Sequence, residues 1–300
     1  MAGLLETPTR PAPPSEGHAQ GASRRRLVAS PAAWLVWGVV AFFFVNLAGV
    51  VGSVLVSSFG TRWFGTWLPE GFTTDWYGSA WEDFNLLQVV LVTLQVSLLV
   101  VVLSVLIGAP AAYVLARRAF PGKRLLMLLF LLPVLMPPIT YGIPLATVLY
   151  KYGLAGSVSG VVIANLVPSV PFVILTMTPF IEQINPTIES AARMCGASTR
   201  ALFVRILAPL LVPGILAAAI IVLVRTVGMF ELTFLTAGPT SQTLVVKLFT
   251  AMSAAGIRAQ QGVDAMAVIY TTTMLVLLVV ALRYVNPTQL VARVREAPED

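Results

Sequence analysis

Six windows of this chain, at about 33–57, 88–116, 125–150, 159–181, 209–235 and 263–285, run long and apolar with few charges. A helix that crosses about 30 Å of hydrocarbon needs roughly 20 such residues. Lipid offers the backbone no hydrogen bonds, so each window must close its own, and a helix does this within one segment. The chain is 57% hydrophobic and only 11% charged over 300 residues, which is too apolar for a soluble body of that length. The expected fold class is an all-α integral membrane protein with six transmembrane helices. Pro133, Pro137, Pro138 and Pro144 fall in the third window, and Pro168 and Pro171 in the fourth. They are expected as kinks, with freed carbonyls met by neighbouring helices.

Basic residues orient the bundle. With the N-terminus inside, the inner segments carry Arg10 and Arg24–Arg26, then Arg117, Arg118, Lys123 and Arg124, then Arg193, Arg200 and Arg205, and finally Arg283, Arg293 and Arg295. The outer segments carry only Arg62, Lys151, Lys247 and Arg258. An excess of Lys and Arg marks the cytoplasmic side, so both termini are expected there. The same asymmetry accounts for the net charge of +6 without a nucleic-acid partner. Residues 1–32 read as a disordered cytoplasmic tail and 286–300 as a second one. The external loop 58–87 holds Trp63, Trp67, Trp76, Tyr77 and Trp81, the composition of an interfacial aromatic belt with an amphipathic segment. The apolar run Leu244–Phe249 in the last external loop reads as a short surface or re-entrant helix.

Several chemistries are excluded. One cysteine, Cys195, allows no disulfide framework or cysteine metal cluster. One histidine, His18, lies in the polar tail. There is no phosphate-cradling Gly-rich loop with lysine, no HExxH and no GxSxG. No metal site and no convergent acid–base set is expected.

The segment ESAARMCGASTRALFVRILAPLLVPG, Glu189 to Gly214, stands apart as a polar, partly basic stretch between two apolar windows. Pro186 sits where a helix starts and Pro209 where one is expected to stop. Gly196 lowers helix propensity by about 1 kcal/mol relative to Ala, so the segment is expected to break there into two short helices, with Ser198 capping the second. Ala191, Ala192, Cys195, Ala197 and Ala201 surround the break and allow close approach of a partner. Leu202, Phe203 and Ile206 are expected to anchor the second half to the bundle. Arg193, Arg200 and Arg205 remain for acidic groups or lipid phosphates. A helix merely lying on the membrane surface is the alternative.

The pattern ESAARMCGAS…FVRILAPLLVPGI resembles the EAA loop of inner-membrane permease subunits of binding-protein-dependent ABC importers. Ala191, Ala192, Gly196, Ile206 and Pro209 fall in that register. The likeness runs over about residues 85–285 and includes RRAFPGKRLL after the second window. Ser190 stands where the family usually has an acidic residue, with Glu189 beside it. Cys195 replaces a frequent Asp, and Leu207-Ala208-Pro209 replaces Leu-Pro. The resemblance implies a type I ABC importer permease fold, with a core at 88–285 and a cytoplasmic coupling loop at 182–208. It implies that Glu189, Ser190, Ala191, Ala192, Gly196, Ala197, Phe203 and Pro209 couple the chain to an ATPase. The implied partners are two ATP-binding subunits, a second permease that is homologous or identical, an external solute-binding protein and membrane lipid. ATP and Mg would then belong to the partner subunits, with no cofactor in this chain, in a bacterial inner membrane.

Charged groups inside a bilayer are functional candidates. Arg225 and Glu231 lie in the fifth window, six residues apart and so on different faces of one helix. Asn165 and Tyr141 are weaker candidates for lining the pathway. Lys151 and Asp264 sit at window ends, where an interfacial position suffices. The stretch FELTFLTAGPTSQTLVVKLFTAM resembles the corresponding part of polyamine, iron and sugar permeases, with the polyamine type first and sugars close behind. An ion-gradient-driven secondary transporter or a non-transporting membrane scaffold remains as an alternative.

Overall fold

The computed structural model describes residues 31–63, 66–253 and 259–283. The expected tails thus lie almost entirely outside the described residues. Those described residues are helical apart from turns and one isolated antiparallel bridge, between Gly60 and Phe72. The chain divides into two units, residues 1–53 and 54–300.

In the first unit, helix α1 (Pro31–Phe59) begins and runs on to its boundary. Its Trp34, Trp37, Phe42, Phe43 and Phe44 side chains are exposed. A helix apolar on all sides belongs in lipid rather than water.

The second unit holds α2 (Asp75–Asp83), α3 (Leu86–Arg117), α4 (Lys123–Leu135), α5 (Pro138–Lys151) and α6 (Val158–Glu182). These are followed by α7 (Pro186–Met194), α8 (Thr199–Val227), α9 (Glu231–Thr236), α10 (Leu244–Ser253) and α11 (Gln260–Arg283). Five described helices, α1, α3, α6, α8 and α11, are long and apolar enough to span a membrane.

The third expected span is not one helix. α4 and α5 meet at 96°. Met136 precedes Pro137 and is extended, with ψ 144°, because a proline ring clashes with a helical preceding residue. Pro138 then opens α5. Helices of 13 and 14 residues reach about 20 Å each, so neither crosses alone. The kink expected here is a full break.

The fifth window also departs from expectation at both ends. Pro209 does not stop the helix. α8 runs unbroken from Thr199 to Val227 because Leu202–Leu207 widens to a π-turn, in which the Ala208 amide donates to the Phe203 carbonyl. The wide turn accommodates a residue with no N–H to give. At the other end α8 stops at Val227, and Glu231 opens the separate helix α9. Glu231 is therefore outside the fifth span, at a helix N-terminus that favours its charge.

The segment between α1 and α3 is built around the short helix α2. α2 is tied down by Trp76, whose indole donates to the Gly60 carbonyl at 2.8 Å, and by a Tyr77–Ser58 hydroxyl contact of 2.7 Å. The apolar run at 244–249 is the start of α10. Asp264 accepts from Ser57 and from Gln260.

The main core lies between α3, α6 and α8, around Val96, Val100, Val173, Ile174, Met177, Leu207 and Val222. Lipid is as apolar as these side chains, so close packing rather than water exclusion holds the helices together. Gly108 on α3 shows how close. A Cβ there would lie 2.7 Å from Val173 Cγ1 and 3.3 Å from the Val170 carbonyl. α3 and α6 run parallel. Near their starts, the Leu244 amide donates to Thr93 at 2.9 Å, and the Gly156 amide donates to the Thr236 carbonyl at 2.8 Å. Near their ends lie Arg117, Ile184 and Glu189.

Gly108→Val should overpack the α3–α6 contact at a cost of about 1–3 kcal/mol. A lowered midpoint in thermal unfolding of the detergent-purified protein checks this, and an unchanged midpoint would show that the helices part freely there.

Candidate coupling segment and polar cluster

The segment from Pro186 to Leu207 follows its local chemistry closely. Asn185 caps α7 by accepting from the Thr187 amide at 2.9 Å, and Pro186 takes the first helical position, where no N–H is needed. α7 ends in a Schellman motif. The Ala197 amide donates to the Ala192 carbonyl and the Gly196 amide to the Arg193 carbonyl, both at 3.0 Å. That closure requires a left-handed residue, and Gly196 has φ +81°. Ser198 then accepts from the Ala201 amide at 3.3 Å and starts α8. The break at Gly196 and the Ser198 cap are as expected. The second half, however, is the first part of the long α8 rather than a short helix.

The expected coupling residues divide by the way they face. Ser190, Ala191, Gly196 and Pro209 are exposed. Ala192 and Phe203 pack on the main core, with Leu202 and Leu207 fully buried beneath them. Ala197 is half-buried. Met194 and Val204 are exposed apolar side chains on the same segment, and Cys195 is exposed at the break.

Glu189 turns inward. Its Oε1 accepts from Arg117 Nε at 2.7 Å and its Oε2 from the Tyr113 hydroxyl at 2.6 Å. The second arm of Arg117, Nη2, donates to the Ile184 carbonyl at 2.7 Å. The ring of Tyr113 meets that of Phe203 edge-on at 4.7 Å. The side chains of the pair are only 13% and 11% exposed, so screening by water is weak. Removing one partner of such a pair costs about 3–5 kcal/mol, because the other charge is left buried and unpaired. The placement follows from length. At 32 residues, α3 is about 48 Å long, against about 30 Å of hydrocarbon. Part of the helix therefore extends beyond the hydrocarbon, where a charged end such as Arg117 is tolerated.

A second polar group gathers near α5, α6, α8 and α9. Asn165 is 1% exposed, and its amide donates to the Val161 carbonyl at 2.9 Å and to Thr233 at 3.3 Å. It ties α6 to α9. The buried Tyr141 hydroxyl has no hydrogen-bond partner among the described residues. Arg225 and Glu231 both lie within electrostatic range of Tyr141. The Arg225 guanidinium sits over the Phe172 ring, 5.1 Å from its centroid, a favourable place for a cation. α5 reaches this group because Gly142 lets Leu232 and Leu235 approach. Beside it, Phe230, Phe234 and Phe249 form a cluster with ring centroids 4.7–5.5 Å apart, the Phe230–Phe249 pair being tightest at 4.7 Å.

Of the four pathway candidates, Arg225 and Glu231 come within electrostatic range of Tyr141, and Asn165 is tied to Thr233, two residues from Glu231. Tyr113, Arg117, Thr233 and Phe172 were not singled out by sequence. The available signal was slight. Tyr113 and Arg117 are four apart and so share a helix face, but nothing local indicates a partner more than seventy residues on.

An all-helical bundle with several helices long and apolar enough to span a membrane defines a multi-pass membrane protein. Residues 104–290 match the family described as binding-protein-dependent transport system inner membrane component, and the chain belongs to that family. It is 32% identical over 160 residues to the trehalose transport system permease protein SugB of Mycobacterium tuberculosis, covering 53% of this chain and 58% of SugB. The chain therefore spans less than two thirds of that relative. It is 26% identical over 244 residues to the spermidine/putrescine transport system permease protein PotC of Escherichia coli, covering 81% and 86%. Its fold matches a crystal structure of a bacterial ABC transporter that imports the acidic polysaccharide alginate. The TM-score is 0.67 at 17% identity, over 86% of this chain and 99% of that one.

Asn165→Leu should remove the α6–α9 tie and destabilise the protein by up to about 2 kcal/mol, in the range of buried polar contacts between membrane helices. Unfolding of the purified variant by graded SDS measures it.

Proposed function

We propose that this chain forms half of the translocation pathway of an ATP-driven importer for a small polar solute delivered by an external binding protein. Membership of the binding-protein-dependent family carries the reading. The outward-facing Ser190, Ala191 and Gly196, at a helix end built for a tight break, support docking of this segment onto an ATPase subunit. In the proposed cycle, two such subunits bind ATP with Mg and close, drawing in the coupling segments of this chain and of a second permease. The bundle then switches between inward- and outward-facing states as rigid bodies. Ser190 supplies no charge to that contact, so Arg193, Arg200 and Arg205 provide its electrostatics.

For the solute, the cluster of Tyr141, Arg225 and Glu231 favours hydroxyl-rich molecules. One cation and one carboxylate balance in charge, a Tyr hydroxyl is free to bond, and the aromatic rings of Phe230, Phe234 and Phe249 stand alongside. Few polar groups set in an aromatic surround is the usual composition of a small-molecule site. A carbohydrate is accordingly placed first. A polyamine is second, supported by the resemblance at 230–252 and by the long match to PotC; it would need carboxylates in excess of cations.

Reconstitution with the partner ATPase, second permease and binding protein tests both points. ATP-dependent uptake of a disaccharide, undiminished by excess spermidine, is expected. Uptake by the purified chain alone without ATP would refute the importer. Gly196→Ala should cost about 1–2 kcal/mol locally from the left-handed backbone alone. Gly196→Trp should in addition obstruct docking, and uptake should fall while the protein remains in the membrane.

The proposed orientation has its own check. Cys195 is the one cysteine of the chain and is exposed. A membrane-impermeant maleimide should label it in inverted vesicles and leave it unlabelled in intact spheroplasts. The reverse pattern would invert the topology.

A further inference from the structure

We infer that Arg117 and Tyr113 are positioning residues for coupling: through Glu189 they lock α7 to the end of α3, so that the two move as one body. The inference rests on the importer reading above and adds the route by which force enters the bundle.

The connections along the chain are poorly suited to carry that force. α7 has nine residues and lies between two breaks, at Gln183–Asn185 and at Cys195–Ser198. The second break turns on Gly196, where a Cβ would meet nothing within 4 Å. A push on a short helix hinged at both ends would rotate it rather than displace the spans. The side-chain links remove that freedom. Glu189 lies at the fourth position of α7, and both of its carboxylate oxygens are engaged by α3. Arg117 holds the Ile184 carbonyl with its other arm, fixing the hinge before α7. Tyr113 meets Phe203 on α8, beyond the second hinge. One face of the last turn of α3 therefore grips the segment before, within and after the coupling helix. Arg117–Glu189 is the ion pair found among the described residues, and separate donors on the two carboxylate oxygens fix direction as well as distance. α3 in turn packs tightly on α6 at Gly108, which extends the body into the core.

The experiment uses the complete transporter in proteoliposomes and reads ATP hydrolysed per solute imported. Arg117→Ala and Tyr113→Phe should each raise that ratio, the former by about tenfold as expected for loss of a hydrogen bond to a charged group. The reciprocal exchange Arg117→Glu with Glu189→Arg should bring it back toward the wild-type value. A merely structural contact would change the amount of assembled transporter and leave the ratio alone, and that result would overturn the inference. A second measurement does not depend on these variants folding. In a Cys195→Ser background, spin labels at Ala119 and Thr187 report the distance from the end of α3 to α7. It should stay unchanged between the resting and the nucleotide-trapped transporter, and a shift on trapping would overturn the single-body assignment. Absence of ATP-dependent uptake by the wild-type assembly would count against the importer reading instead, and is seen before any variant is made.

Discussion

Every part of this fold answers to one constraint: inside hydrocarbon, a backbone amide or carbonyl has only the protein to bond to. Long helices follow directly. So do the places where helices fail. The α4–α5 break at Met136–Pro137 lies four residues along the chain from Tyr141, and the gap between α8 and α9 lies between Arg225 and Thr233. Where Pro209 would open a similar gap, the π-turn of α8 closes it, and the helix passes from the lipid to the coupling segment without a joint. Breaks are thus placed at the pathway candidates and at Gly196, and removed between the coupling segment and its span.

Packing sets the second level. With no water to exclude, helices are held by fit, and glycines let α3 meet α6 and α5 meet α9 at close range. Polar contacts are then few and specific. Glu189 satisfies both carboxylate oxygens on α3, and Asn165 joins α6 to α9. The importer reading assigns the first to the input of force and the second to the neighbourhood of the solute.

Much of the candidate coupling segment was legible because its chemistry is local. Pro186 at a helix start, Gly196 at a helix end and Ser198 as a cap are signals that span a few residues, and each reappears in the structure. The spans were legible for the same reason, since apolar length is a local property. Proline was harder to read. Pro137 breaks a span, Pro209 is absorbed by a wide turn, and Pro168 and Pro171 lie inside an unbroken α6. Which outcome prevails depends on whether neighbours or local widening can satisfy the freed carbonyl.

By itself the sequence determined that the chain is a bundle of membrane helices, where its candidate coupling segment breaks and, through the EAA-like pattern, the family to which it belongs. Only the tertiary structure decided which way Glu189 faces, that Tyr113 and Arg117 receive it, and that Arg225 and Glu231 come within electrostatic range of Tyr141. The physical reason is range. Caps, turns and apolar runs are set by neighbours along the chain, whereas a buried ion pair or a polar cluster depends on which helix faces meet, and that is settled by packing across the whole bundle.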